Sequence, residues 1–318
     1  MLENTENIGF ARANNQGVAL AKGEFICVLN PDTVVAKETF TTLLHSVAVH
    51  KETGITGVKL VNGSGDFLPE SKRNIPTPLV SLGRFTGAAF TFFKPYYANH
   101  ITTNGNGKVS VLVGAFMFCN RKKFLDVGGF DEDYFMYGED IDLSYKFLKA
   151  GFQNYYLGEI SCIHYKGEST IRNKQYYQRF YGAMKIFYKK HFSKSIITAT
   201  IVIAAIHLLS IVKGFTKNKT GKTEPGKYYL ITKNTKLLED LKQVLKVAVE
   251  IQDEVGVATC IKEPVEIIFD QESISFTNII STIQQNSSNL VTYKIRPKGC
   301  SYLLGSNTST GRGEVIQF

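Results

Sequence analysis

Apolar and polar positions along the chain sort it into a run of short helices and strands. Phe10–Lys22 sets Ala11, Val18 and Ala21 on one face with Asn and Gln between them, and closes at Gly23. That spacing predicts an amphipathic helix. Phe25-Ile26-Cys27-Val28-Leu29 is a continuous apolar run and predicts a strand buried on both faces of a parallel sheet. Lys37–Lys51 returns to helical spacing through Phe40, Leu43, Leu44 and Val47, and Gly57–Val61 reads as the next strand. Val109–Cys119 is an apolar strand interrupted by Gly114-Ala115, Arg121–Val127 a short helix, and Gln153–Leu157 and Ile160–His164 two further strands. From Asn62 to Gly107, Pro69, Pro76, Pro78 and Pro95 break any period. A long irregular stretch inside a domain predicts a binding loop or a lid.

Lys217–Lys227, rich in Lys, Thr and Gly and holding Pro225, reads as a linker. It divides the chain into an α/β domain at residues 1–192, a bridge at 193–226 and a small α/β domain at 227–318. In the last, strands Tyr228–Thr232, Val265–Phe269 and Leu290–Ile295 alternate with helices Lys236–Lys246 and Ser275–Gln285. The crossover rule makes that β-α-β-α-β unit parallel and right-handed. It has no GxGxxG turn, so dinucleotide binding is not indicated. Ser306–Gly313 reads as a plain loop or an anion-binding turn.

The stretch Phe135–Gly151 carries the densest candidate chemistry. Glu139, Asp140 and Asp142 fall in one turn, and Ile141, Tyr145 and Leu148 follow at helical spacing. A helix N-terminus favours ionised carboxylates, but capping needs one acid rather than three. Asp140 is therefore the candidate general base, with Phe135-Met136-Tyr137-Gly138 as a pocket rim. Asp32 follows Pro31 at the carboxyl end of a buried strand, the edge at which open α/β sheets bind ligands. A carboxylate there can hold a divalent cation against a diphosphate; the competing reading is simple turn chemistry. His164, at another strand end, is either structural or the second ligand of such a site. Gly114 marks a bulge or the close approach of a ligand to backbone.

Charge and composition narrow the options. The 318 residues are 43% hydrophobic and 20% charged, as expected of a globular chain with a normal core. Net charge is +9, and 13 Lys/Arg against Glu168 and Glu224 fall between Lys166 and Lys227. The rest of the chain is close to neutral, which excludes a generally basic nucleic-acid binder. Cys27, Cys119, Cys162, Cys260 and Cys300 are far apart with no CxxC pair, so a reducing cytosol fits best. The N-terminus MLENTENIGF lacks the profile of a cleavable signal. Tyr176–Lys194 interleaves aromatics with cations, and Ile196–Val212 is apolar over 17 residues. That segment could cross a membrane, lie in its interface or be an ordinary buried helix.

Asn7-Ile8-Gly9-Phe10-Ala11, Leu29-Asn30-Pro31-Asp32, Gly114-Ala115-Phe116-Met117, Gly128-Gly129-Phe130-Asp131, Tyr137-Gly138-Glu139-Asp140-Ile141-Asp142 and His164-Tyr165-Lys166-Gly167-Glu168-Ser169 come in an order that resembles the family 2 glycosyltransferases. Rhamnosyltransferase-type members of bacterial cell-surface polysaccharide synthesis are the most similar, over roughly residues 4–190. The resemblance implies a GT-A fold with a Rossmann-like, mostly parallel sheet. It also implies inverting transfer from a nucleotide-diphosphate sugar to a hydroxyl of a glycan or lipid-linked acceptor, at the inner face of the cytoplasmic membrane, with Mg²⁺ or Mn²⁺. By resemblance Asp32 is the metal-binding aspartate of the DXD motif, whose first Asp is Asn30 here, and His164 completes the metal site. Asp140 is the catalytic base with Glu139 beside it; Asn7 and Gly9, with Asn30 and Asp32, lie on the donor side; Gly114, Ala115 and Asp142 lie on the acceptor side. The opening strand and helix of the family, with an Asp-rich turn, have no counterpart. An N-terminally truncated domain with weak nucleotide binding is therefore expected. The rival reading is a non-catalytic remnant, or a scaffold that binds membrane or partner proteins.

Overall fold

The structure is a computed structural model that describes residues 2–77, 80, 96–165, 174–192, 225–245, 247–252, 263–288, 290–306 and 313–318. Ile196–Val212, most of the linker at Lys217–Lys227, most of the Ser306–Gly313 loop and Lys166–Ser169 lie outside the described residues. So does most of the 193–226 bridge.

The first unit is built on six strands: β1 (Phe25–Leu29), β2 (Thr33–Val35), β3 (Thr53–Val61), β4 (Asn106–Val109), β5 (Phe116–Asn120) and β6 (Gln153–His164). They run β1-β5-β3-β6-β2, with β4 also on β6. Among the described strands of this unit only β3 and β6 pair in parallel; β1 with β5, β3 with β5, β2 with β6 and β4 with β6 are antiparallel. The sheet is thus mixed where a mostly parallel one was expected, because an apolar run records burial and not direction.

Helices cover both faces. α1 (Phe10–Leu20), α3 (Arg121–Asp126) and α4 (Glu139–Lys149) bury Ala11, Val18, Phe124, Leu143 and Phe147 against Ile26, Val28, Ile55 and Met117. On the other face α2 (Thr39–Val49) buries Leu43 against Val58, Leu60, Phe116 and Phe118. β1 pairs only with β5 among the described strands, so its burial alternates and Leu29 is 36% exposed. The two strands expected at Gln153–Leu157 and Ile160–His164 are one strand. Its register against β3 shifts between Leu157 and Ser161. Gly158 sits in that shift, where a Cβ would lie 2.6 Å from the carbonyls of Thr103 and Gly105.

The second unit has β7 (Lys227–Ile231), α6 (Thr235–Val244), β8 (Val249–Ile251), β9 (Val265–Asp270), α7 (Phe276–Gln285), β10 (Val291–Arg296), β11 (Tyr302–Gly305) and β12 (Glu314–Gln317), after α5 (Lys174–His191). Strand order is β12-β11-β10-β9-β7-β8. The predicted parallel β-α-β-α-β unit is its centre. β8, β11 and β12 are too short to carry a periodic signal. Asn234 caps α6 by accepting from the Lys236 and Leu237 amides, and Ser275 caps α7 by accepting from Asn278.

The two units share a core. Val61, Ile163 and Tyr165 of the first pack with Ile279, Ile280 and Ile283 of α7. Around them Glu38 accepts from Thr277 at 2.7 Å, Ser161 donates to Gln284 at 3.1 Å and Ser287 donates to Asp66 at 2.6 Å. Among the described residues no helix is long and apolar enough to cross a membrane.

Candidate active site

The acidic turn owes its shape to two successive residues with left-handed backbone, Tyr137 at φ 71° and Gly138 at φ 82°. Gly138 is the N-cap of α4, and a Cβ there would meet the Ala183 methyl of α5 at 3.0 Å. Left-handed backbone costs a non-glycine residue about 1–3 kcal/mol. Ring contacts from Tyr137 to Tyr176 and Phe180 of α5 hold it there. The reversal delivers Glu139 and Asp140 to the helix N-terminus, 7% and 8% exposed.

Asp140 is fixed from three sides. Its Oδ2 accepts from Arg73 Nη2 at 2.6 Å and from the Gly114 amide at 3.1 Å, and its Oδ1 accepts from the Ile141 amide at 2.8 Å. Arg73 was not singled out from sequence. It stands in the irregular stretch after Asn62, where its backbone pairs with Val111 and Nη2 also donates to the Leu112 carbonyl at 3.0 Å. Its one sequence signal is the Ser-Lys-Arg-Asn run, whose Lys72 is buried as well and donates to the Ala98 and Ile101 carbonyls.

Burial, and then the charge of Asp140, push the Glu139 carboxyl up to about 8, and its Oε2 has no hydrogen-bond partner among the described residues. At neutral pH the Glu139 carboxyl is mostly protonated. The folded form binds this proton more tightly than an unfolded chain with its carboxyl near 4.5. That contribution to stability is therefore complete below pH 4.5 and is lost as pH rises toward 8. Glu139→Gln should remove that slope: between pH 5 and 8 the wild-type melting temperature falls more steeply than the variant's, at up to about 1.4 kcal/mol per pH unit. Equal slopes in thermal melts would contradict the assignment.

A second group forms where β1 ends. The Asn30 amide donates to the Ala115 carbonyl at 3.1 Å, and β2 pairs Thr33 opposite His164. The ladder brings His164 Nε2 to 3.3 Å from Asp32 Oδ1 and 3.5 Å from Asn30 Nδ2. Ala115 adjoins Gly114, whose amide holds Asp140. The Asn30, Asp32 and His164 group thus reaches the acidic turn through two hydrogen bonds and one dipeptide.

Gly9 closes the region from the N-terminal side. Its backbone (φ 87°, ψ 163°) is of a kind open only to glycine, its amide donates to Asn7 Oδ1 at 3.1 Å, and the Phe10 amide donates to the Phe135 carbonyl at 3.0 Å. A Cβ on Gly9 would stand 2.7 Å from that carbonyl. Gly9→Ala should cost about 2 kcal/mol or more and disturb the acidic turn through Phe135. Thermal melts check this, and an unchanged melting temperature would rule it out.

Asp142 turns away from the Asp140 carboxylate. It is fully buried and bonded to His191 Nε2 at 2.6 Å and Tyr134 Oη at 3.4 Å, with Lys146 Nζ at 3.5 Å. The expected acceptor contact is corrected by helix geometry: two residues turn a side chain by about 200°, so Asp142 points away from Asp140 into the seam with α5.

Among the described residues no group of three or more His, Cys, Asp or Glu side chains is placed to hold a metal ion. Asp32 and His164 supply two donors. Adjacent ligands of an octahedral Mg²⁺ at about 2.1 Å stand about 3.0 Å apart, close to the 3.3 Å seen here. Two donors at that spacing suit adjacent positions on a hard cation.

Residues 25–217, more than half of the chain, match the family model described as "Glycosyl transferase family group 2". The chain belongs to this family. Among curated relatives, the N-acetylglucosaminyl-diphospho-decaprenol L-rhamnosyltransferase of Mycobacterium tuberculosis (strain ATCC 25618 / H37Rv) is 27% identical over 193 residues, covering 54% of this chain and 61% of the relative. Rhamnosyltransferase WbbL of Escherichia coli (strain K12) is 27% identical over 164 residues, 49% of this chain and 61% of the relative. The chain spans about three fifths of the length of these relatives. A solved structure, the mannosyltransferase PcManGT from Pyrobaculum calidifontis in complex with GDP-Man and Mn²⁺, is 16% identical with a TM-score of 0.40, covering 67% of this chain and 53% of that one. The family match spans Asp32, Arg73, Gly114, Glu139, Asp140 and His164.

Proposed function

We propose that the chain transfers a sugar, with inversion, from a nucleotide-diphosphate sugar to a hydroxyl of a glycan or lipid-linked acceptor. The observation that carries this reading is the buried Asp140 carboxylate, aimed by the Gly114 amide and Arg73 and joined through Ala115 and Asn30 to Asp32 and His164. Asp140 Oδ1, with one hydrogen-bond donor on it, takes the proton of the acceptor hydroxyl as its oxygen attacks the anomeric carbon. The bond from that carbon to the diphosphate breaks on the opposite face. A positioned base contributes about 10²–10⁴-fold to such a step. Protonated Glu139 keeps a second negative charge away from Asp140, and Arg73 balances the one that is present.

Asp32 and His164 would hold Mg²⁺ or Mn²⁺, with neutral Asn30 beside them. When bound, the cation supplies charge neutralisation for the departing diphosphate. Asn7 and Gly9 would flank the donor side, and Gly114 and Ala115 the acceptor side. A relative named for N-acetylglucosaminyl-diphospho-decaprenol supports a lipid-linked acceptor, as does the cluster of cations between Lys166 and Lys227. The inner face of the cytoplasmic membrane is the setting that suits such an acceptor.

Asp32→Asn and His164→Ala should each weaken Mn²⁺-supported binding of UDP or dTDP by at least about tenfold. Calorimetric titration of the full chain with either nucleotide, with and without Mn²⁺, reads this directly. Binding that is indifferent to Mn²⁺ and to both substitutions would sink the metal assignment.

A further inference from the structure

A cavity of about 740 Å³ lies in the seam between the two units, away from the acidic turn. That volume is within the usual range for small-molecule sites, which often form where units meet. Lys59 of β3 and Glu159 and Ser161 of β6 form one wall; Ser281, Gln284 and Gln285 of α7 form another. The start of α2 closes the side with Glu38, Thr39 and Thr42, and Phe67 adds a flat apolar surface.

The chemistry of these walls selects among ligands. The walls mix apolar surface with polar groups, and among the polar groups hydroxyls and amides outnumber charges; they both donate and accept hydrogen bonds. Two carboxylates, Glu38 and Glu159, face one cation, and the Lys59 amine already donates to Asn104 Oδ1 at 2.9 Å. Phosphate and other anions are disfavoured by that balance. The cavity is also within reach of the Asp32 and His164 group. Ala36 and Ser161 line it, four and three residues along β2 and β6 from that pair. At about 3.3 Å per residue this is roughly 10–13 Å.

We propose that the seam binds a neutral saccharide, a segment of the acceptor or product glycan that extends beyond the transfer site. The assignment to acceptor or product rests on the transfer reading above; the saccharide site itself does not. Saturation-transfer NMR on the full chain, with maltotriose and triacetylchitotriose as probes, tests it. At least one trisaccharide should receive saturation. Gln285→Arg and Thr42→Arg, which add bulk and charge to opposite walls at partly or fully exposed positions, should each cut the signal by about an order of magnitude. Asp140→Asn should keep it. No transfer to either probe, or equal transfer in wild type and in the arginine variants that fold, overturns the site. A parallel titration with UDP and Mn²⁺ separates the two ideas: UDP binding lost with trisaccharide binding intact counts against the transfer reading alone.

Discussion

Asp140→Asn is expected to lower the rate of sugar transfer by about 10²–10⁴-fold while leaving donor affinity within about threefold. The amide keeps the shape of the carboxylate but cannot take a proton. Its oxygen can still accept from Arg73 and Gly114, which places the NH₂ group against the Ile141 amide, donor facing donor. That conflict, and the loss of the negative charge opposite Arg73, should also cost stability, by about 1–3 kcal/mol. Rate and melting temperature are therefore measured on the same preparation, with donor binding as the control. A variant that is fully folded and transfers sugar at the wild-type rate would remove Asp140 from the chemistry.

Arg73→Met should have the largest effect on stability. The ion pair with Asp140 is buried, the two side chains being 9% and 11% exposed, and its N–O distance is 2.6 Å. Taking away one partner of such a pair typically costs about 3–5 kcal/mol, because the remaining charge stays buried. At roughly 2–4 °C per kcal/mol for a unit of this size, the melting temperature should fall by about 10 °C. Arg73→Lys keeps the charge but not the planar fork that also reaches Leu112 and Tyr96, so partial recovery is expected. Combining Arg73→Met with Asp140→Asn should cost less than the sum of the two single changes. Strict additivity would mean that the pair is not coupled.

Much of this architecture can be read from the chain without coordinates, and the failures have physical causes. β1 is found at Phe25–Leu29 as its apolar run indicates, and α4 starts where the acids cluster, because both are local patterns. Strand direction is not local. β1 and β5 are separated by α2, β3 and a long irregular stretch, and nothing in Phe25–Leu29 says which way its partner runs. Arg73 is not legible from local pattern for a similar reason: its meaning lies in a contact 67 residues away. Asp142 is two residues from Asp140 in sequence, but on a helix that spacing puts their side chains on opposite sides. Asp32 and His164, 3.3 Å apart, were paired by type and by strand-end position, features that β2 and β6 preserve in space.

Ile163 and Tyr165, on either side of His164, are almost fully covered, and their cover comes from α7 and the strands beyond it. Shearing off everything from residue 225 onward would leave greasy flanks bare on both sides of one cation-holding side chain. What reads as an appendage in the sequence is then a retaining wall, and changes in α7 should be felt at His164 even though they touch none of the reacting groups.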